Sequence, residues 1–482
     1  MKRNVVCAGV IAALIVLGGC FPEKRVSWSP DGRWATVKGA DGLYLCDESG
    51  KLSQRLVENV ASVAWLPDSK HLVLSRSETV PSWAQATAVL TAERRQELEA
   101  RAPKLREELL AYTGDWDKFK PKAIEGLTGG ETLALFACVR EKFSAGLPEK
   151  LGEKWDDLKK LEPAVYALQL ATVTPGAALE LGPTLAKSLD SFDDLRVAPG
   201  GKAVAYRGAA PADDPAKPLF VLSLDGKGAP LHVADRAAMF PDWSSDGRYL
   251  VYAATRAVME DGRKDLRLGI VARRLVADAN GTLLETLPDA EELAGIVFQN
   301  EVRVRCLRDG RVLFATLEVH LPCTSLDMPQ RAGLFAVDPG HEPNVTRLTP
   351  RQAESELPDA IFLFEVSPDE QHVTVPGGNG RLAILTLATG DVWEVVGEKE
   401  VDHLRTEPTW RSSDELCFAF VPGTEGAKER AAITLAKLDW AQHKAERKII
   451  SADWPDNIVT DFLVEKKPAP LATQPAAPKE GS

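Results

Sequence analysis

Short apolar stretches that stop at a Ser, Pro, Asp or Gly turn, then resume as a second apolar or alternating stretch, recur along this chain. Val26-Ser27-Trp28 runs into Ser29-Pro30-Asp31-Gly32 and continues from Trp34; Val63-Ala64-Trp65 runs into Leu66-Pro67-Asp68 and continues from His71. The layout returns at Val197-Ala198-Pro199-Gly200, Trp243-Ser244-Ser245-Asp246, Leu307-Arg308-Asp309, Phe364-Glu365-Val366-Ser367-Pro368-Asp369 and Trp410-Arg411-Ser412-Ser413-Asp414, which makes seven copies. Pro presets one turn dihedral, Asp bonds its own backbone two residues on, and Gly accepts a positive φ, so each copy folds back as a tight hairpin. A third stretch such as Leu382-Ala383-Ile384-Leu385 and a fourth such as Val392-Trp393-Glu394-Val395-Val396 follow several turns. Four antiparallel strands repeated in this way predict an all-β fold, a seven-bladed β-propeller.

One interval breaks the spacing. Between Leu72-Val73-Leu74-Ser75 and Tyr166-Ala167-Leu168-Gln169-Leu170 the pattern changes to helical, with Leu98, Ala102, Leu105 and Leu109 on one face and charged residues on the others. Pro103 is expected to kink this helix or begin a second one. Thr128-Gly129-Gly130-Glu131 has the capping-box pattern, and Trp155, Leu158 and Leu161 mark one more short helix. The expected organisation is therefore a propeller over 20–81 and 163–464, an α-helical subdomain inserted in blade two over 82–162, and a Pro- and Ala-rich disordered tail over 465–482. The insertion reads either as a lid or docking arm, or as a cap over an edge.

The turn copies resemble the TolB-like Pro-Asp-Gly β-propeller repeats, related to WD repeats and to the propellers of prolyl-oligopeptidase relatives. The resemblance implies the fold and leaves the activity open, because such propellers serve as scaffolds, sieves and enzymes. The third copy departs from it with Pro199-Gly200-Gly201, and the fifth with Arg308 in place of Pro.

The first twenty residues carry an address. Lys2 and Arg3 precede an apolar run from Val5 to Leu17, too short to span ~30 Å of hydrocarbon comfortably. The run ends in Leu17-Gly18-Gly19-Cys20, which resembles the lipobox of bacterial lipoproteins. That resemblance implies removal of residues 1–19 as a signal peptide, lipidation at Cys20, and a place in the cell envelope. Phe21 is not the acidic residue associated with inner-membrane retention, which favours the periplasmic face of the outer membrane.

Charge narrows the partners. The chain carries a net charge of −12, and cleavage of the signal would remove two further cations, so a nucleic-acid role is not expected. Cys46, Cys138, Cys306, Cys323 and Cys417 are scattered; Cys306 with Cys323 is the pair close enough along the chain to suspect, and the rest read as buried thiols.

Candidate chemistry is sparse. No hydrolase elbow, zinc motif, phosphate loop or calcium loop is present, so no catalytic, cofactor-binding or metal residue is expected. The turn aspartates Asp31, Asp68, Asp246, Asp309, Asp369 and Asp414 read as turn stabilisers, and Trp28, Trp65, Trp243 and Trp410 as packing between blades. The resulting expectation is a monomeric, membrane-tethered, non-enzymatic scaffold for a protein partner in the envelope. The alternative is a propeller that binds or processes a small molecule or glycan in its central channel.

Overall fold

The structure is a computed structural model. It describes residues 24–114, 116, 119–174, 176–211, 216–238, 240–258, 266–298, 302–316, 318–320, 333–339, 345–349, 364–376, 382–396, 403–404, 407–421, 432–455 and 458–459. Cys20, Cys323, the signal segment and the tail lie outside the described residues.

Hairpin chemistry builds the strands as the pattern predicts. The first sheet joins β1 (Val26–Trp28), β2 (Trp34–Gly39) and β3 (Gly42–Asp47) in that order. The second joins β4 (Val60–Trp65), β5 (His71–Thr79), β6 (Ala164–Thr174) and β7 (Ala178–Ser188). In the turns the Asp carboxylates accept local bonds. Asp31 takes the Ser29 hydroxyl at 2.7 Å and the Arg33 N–H at 3.2 Å, and Asp68 takes the N–H groups of Lys70 and His71 at 2.9 and 3.0 Å. Asp246, Asp309 and Asp369 each accept the N–H two residues on, and Asp414 accepts the Ser412 hydroxyl.

The third sheet overturns the expectation of a seven-bladed β-propeller. It runs β18 (Glu318–His320), β15 (Glu291–Phe298), β14 (Arg267–Leu275), β13 (Tyr249–Val258), β11 (Leu231–Ala237), β10 (Lys217–Ser223), β9 (Ala203–Arg207) and β8 (Asp193–Val197), with β12 (Asp242–Trp243) also on β13, as one nine-stranded ladder. The pairing Ala237↔Ala254 fuses the third and fourth sequence copies, and Gly295↔His320 extends the ladder further. Three sheets follow. One contains β16 (Val304–Cys306), β17 (Val312–Thr316), β19 (Gly333–Val337) and β20 (Val345–Arg347). The next contains β21 (Glu365–Val366), β22 (His372–Pro376), β23 (Leu382–Thr386) and β24 (Val392–Val396). The last contains β25 (His403–Leu404), β26 (Thr409–Ser412), β27 (Glu415–Val421), β28 (Ala432–Asp439) and β29 (Lys444–Ile449). Among the described residues the strands thus form six sheets of unequal size, not seven four-stranded blades closed into a ring.

Between β5 and β6 lie α1 (Trp83–Thr87), α2 (Ala92–Ala111), α3 (Gly129–Lys142), α4 (Leu147–Leu151) and α5 (Glu153–Lys159). They share one apolar core that includes Leu98, Ala102, Leu105, Leu109, Leu135 and Trp155. Pro103 neither breaks nor restarts the helix: α2 runs through it, with buried Leu98 and Ala102 before it and Leu105 and Leu109 after it. Packing on both sides outweighs the lost hydrogen bond. Thr128 and Glu131 complete the capping box of α3, and Asp190 accepts the Thr128 hydroxyl at 2.7 Å and the Gly130 N–H at 2.8 Å.

The first strands of the sequence copies meet one another. β1 lies against β26, β26 against β21, β12 against both β16 and β8, and β8 against β4. Gly32, at φ +70°, sits where a Cβ would come within 2.8 Å of the Arg411 carbonyl, and Arg411 Nε donates to the Gly32 carbonyl at 2.9 Å. Trp454 Nε1 donates to Gly50 O at 2.8 Å, so the segment after β29 packs onto the first sheet.

Candidate functional site: a buried charge cluster

In three copies the tryptophan one strand before the turn does two things. Its ring is buried, and its indole N–H reaches the first strand of the preceding copy. Trp65 donates to Ser27 O at 2.9 Å, Trp243 to Arg196 O at 2.9 Å, and Trp410 to Glu365 O at 3.2 Å. Between β12 and β16 the link is the Asp242 carboxylate, which accepts the Cys306 N–H at 3.0 Å. The backbone positions of Arg196 and Glu365 are therefore set by packing aromatics. Trp28 has the Arg411 guanidinium over its ring, 5.2 Å from the centroid.

Strand alternation then decides what faces inward. Arg196, Asp242, Arg305 and Glu365 each precede their turn residue by four positions, and Arg303 lies two before Arg305, on the same strand face. Lys24 and Glu407 come from the segments that lead into β1 and β26. These seven residues, drawn from five sheets, form one electrostatic cluster. Glu365 is its centre. Its carboxylate takes Lys24 Nζ at 2.6 Å, Arg305 Nη2 at 3.1 Å and Arg303 Nη1 at 3.2 Å. Arg303 Nη2 also reaches Glu407 at 2.7 Å, and Nη1 donates to Phe364 O at 3.1 Å.

Exposure falls along this chain of pairs. The side chain of Lys24 is 28% exposed, those of Glu365 and Arg305 are 9% and 8%, and that of Arg303 is 0%. Water thus reaches the cluster from the Lys24 side. Burial alone would raise the Glu365 pKa, but Arg305, Lys24, Arg303 and Arg196 outweigh it and hold the carboxyl well below its usual range. Burial lowers the Lys24 pKa, opposed by Glu365. Burial, and then the like charge of Arg305, bring Arg196 down to about 10, against the pull of Glu365 and Asp242.

Arg196 is the odd member. Lys24, Arg303 and Arg305 have carboxylate partners, whereas the Arg196 side chain has no hydrogen bond or ion pair among the described residues. Among the described residues the cluster holds four cations and three carboxylates, which leaves one positive charge over, at Arg196. A guanidinium so placed, desolvated and partly buried among cations, can be matched by an anion.

The sequence reading placed lipidation at Cys20, which lies outside the described residues, and passed over all seven cluster residues. The available signal was the recurrence of charge four positions before the turn in four copies. His71 and His372 do not form a ligand pair: His71 Nδ1 meets Asp68 at 2.5 Å, while His372 stacks on Trp440 at 3.6 Å. Among the described residues no three potential metal ligands come together. Cys46, Cys138 and Cys417 are buried thiols, and Cys306 has no disulfide among the described residues, which do not include Cys323.

No family model matches the chain, and no curated protein does. Solved structures similar to it include an acylaminoacyl peptidase from Pyrococcus horikoshii, at 11% identity and a TM-score of 0.35, covering 59% of this chain and 44% of that one. The tricorn protease is similar at 12% identity and a TM-score of 0.34, with 79% and 34% covered. A puromycin-hydrolyzing peptidase from Mycobacterium tuberculosis is similar at 14% identity and a TM-score of 0.39, with 61% and 44% covered. The chain spans less than half the length of each. All three are peptidases by name, and this finding overturns the expectation of a non-enzymatic protein scaffold and of a chain that is no enzyme. Likeness at this level transfers no residue role, and the family of the chain is not fixed by it.

Proposed function

We propose that this chain binds a small ligand through a single carboxylate group, received by Arg196, and that it does so tethered to the cell envelope by lipid on Cys20. The observation that carries the binding is the partly buried Arg196 guanidinium, which lies beside three partnered cations with no partner of its own among the described residues. A planar guanidinium pairs bidentately with a carboxylate, and one unit of negative charge balances the cluster, whereas a dianion would leave an excess in a poorly solvated place. The lipobox-like Leu17-Gly18-Gly19-Cys20 supports the tether. Lys24 lies four positions after Cys20, at most about 14 Å of extended chain, so the tether puts the water-accessible side of the cluster next to the membrane surface.

Titration calorimetry on the full chain tests the binding, with N-acetylglycine, its uncharged amide and inorganic phosphate as probes. Binding of N-acetylglycine, none of the amide, weaker binding of phosphate, and loss of binding in Arg196→Gln are expected. Equal binding of acid and amide, no binding of the acid, or undiminished binding by the variant would overturn the reading.

A further inference from the structure

Phe240 stands beside the cluster in a conformation that ordinary aromatic residues avoid. Its φ is +60°, a region that strains a bulky residue and that glycine enters freely. The chain is pinned on both sides of it. Ala238 N–H bonds the Ala253 carbonyl at 2.7 Å, and Asp242 pairs with Val251 in the ladder. The Phe240 carbonyl accepts the Val304 N–H at 3.4 Å, beside Arg303. A glycine here would satisfy the same backbone without strain, so the ring itself must contribute.

What the ring does is visible at Arg303. The guanidinium carbon lies 4.2 Å from the Phe240 ring centroid. The edges of that guanidinium are held by Glu365, Glu407 and the Phe364 carbonyl. A cation is drawn to an aromatic face, most strongly where water is excluded, as it is around this fully buried side chain.

We propose that Phe240 is a positioning residue of the ligand site: its ring holds Arg303 against Glu365 and Glu407, and so leaves Arg196 as the cation that meets the ligand. The inference rests on the carboxylate-binding reading for its consequence, and on the Phe240–Arg303 contact for its cause. Without the ring, Arg303 gains room to turn towards an incoming anion, Glu365 loses a partner, and the charge presented to the ligand is no longer localised at Arg196.

Three variants of the full chain separate this role from space filling. Phe240→Tyr keeps the aromatic face, Phe240→Leu keeps bulk without it, and Phe240→Gly removes both ring and strain. N-acetylglycine affinity is expected to stay within about threefold in Phe240→Tyr and to fall about tenfold in Phe240→Leu and Phe240→Gly. The glycine variant is expected to lose affinity even if its melting temperature rises, which a merely structural residue would not do. Wild-type affinity in Phe240→Leu would overturn the proposal. The contact is read without ligand by nitrogen-15 NMR, where a ring-shifted arginine Nε–H should be present in the wild type, kept in Phe240→Tyr and lost in Phe240→Leu. A double-mutant cycle with Arg303→Met should show coupling to Phe240→Leu. Failure of the wild type to bind, with the NMR signature and coupling intact, would remove the ligand reading and leave the positioning role; absence of both signatures would remove the positioning role.

Discussion

At the residue scale, function and stability pull in opposite directions at Arg196. Its pKa is lowered to about 10 by burial and by Arg305, so the guanidinium stays charged at neutral pH but its charge costs folding free energy. Arg196→Gln is therefore expected to stabilise the protein by about 1–3 kcal/mol in urea denaturation while abolishing carboxylate binding; a destabilised variant would show that a partner holds the guanidinium. Glu365 has the opposite sign. Its folded pKa is depressed, so its contribution is fully present above its unfolded pKa and is lost as pH falls through the folded value. Glu365→Gln leaves three cations without their common partner, and should cost about 3–5 kcal/mol at pH 7 and flatten the acid limb of the stability curve. An unchanged acid limb would place the acid-sensitive group elsewhere. The turn aspartates were legible from sequence because their bonds are to neighbours two or three residues away. The cluster was not, because Lys24 and Glu365 are 341 residues apart.

At the scale of elements, the helices show local signals that survive and one that is overridden. The capping box at Thr128 and Glu131 forms as the motif predicts, and the 3.6-residue spacing of Leu98, Ala102, Leu105 and Leu109 places all four in the core. Pro103 is expected from sequence to kink the helix or begin a second one because its effect on an isolated helix is large; tertiary packing on both sides carries α2 through it. How the helices dock was not legible. Gly130 sits where a Cβ would lie 2.1 Å from the Leu189 carbonyl, so α3 approaches the chain before β8 closely. Gly130→Ala should lower the melting temperature although alanine favours helix by about 1 kcal/mol. A rise would mean that this close approach does not exist in solution.

At the scale of the whole molecule, the copies in the sequence correctly mark hairpins but not sheets. Hairpin pairing is set by a turn within one copy, whereas Ala237↔Ala254 joins two copies and Gly295↔His320 reaches past the next hairpin. The tether belongs to this scale too. If Cys20 carries lipid, Cys20→Ala should move the protein from the membrane to the soluble fraction without changing N-acetylglycine binding, and mass spectrometry should find acyl groups on the wild-type N-terminus. Membrane fractionation unchanged by the substitution would remove the lipid anchor.

Turn residues, alternation and helical spacing act over a few residues, so the chain alone determined where strands, hairpins and helices lie and which residues sit in the turns. The membership of the sheets and the meeting of Lys24, Arg196, Asp242, Arg303, Arg305, Glu365 and Glu407 were decided by tertiary structure. A strand's pattern says which side chains share a face but not which strand comes to lie opposite, and the energy of a buried charge is set by whatever packing brings within a few ångströms of it.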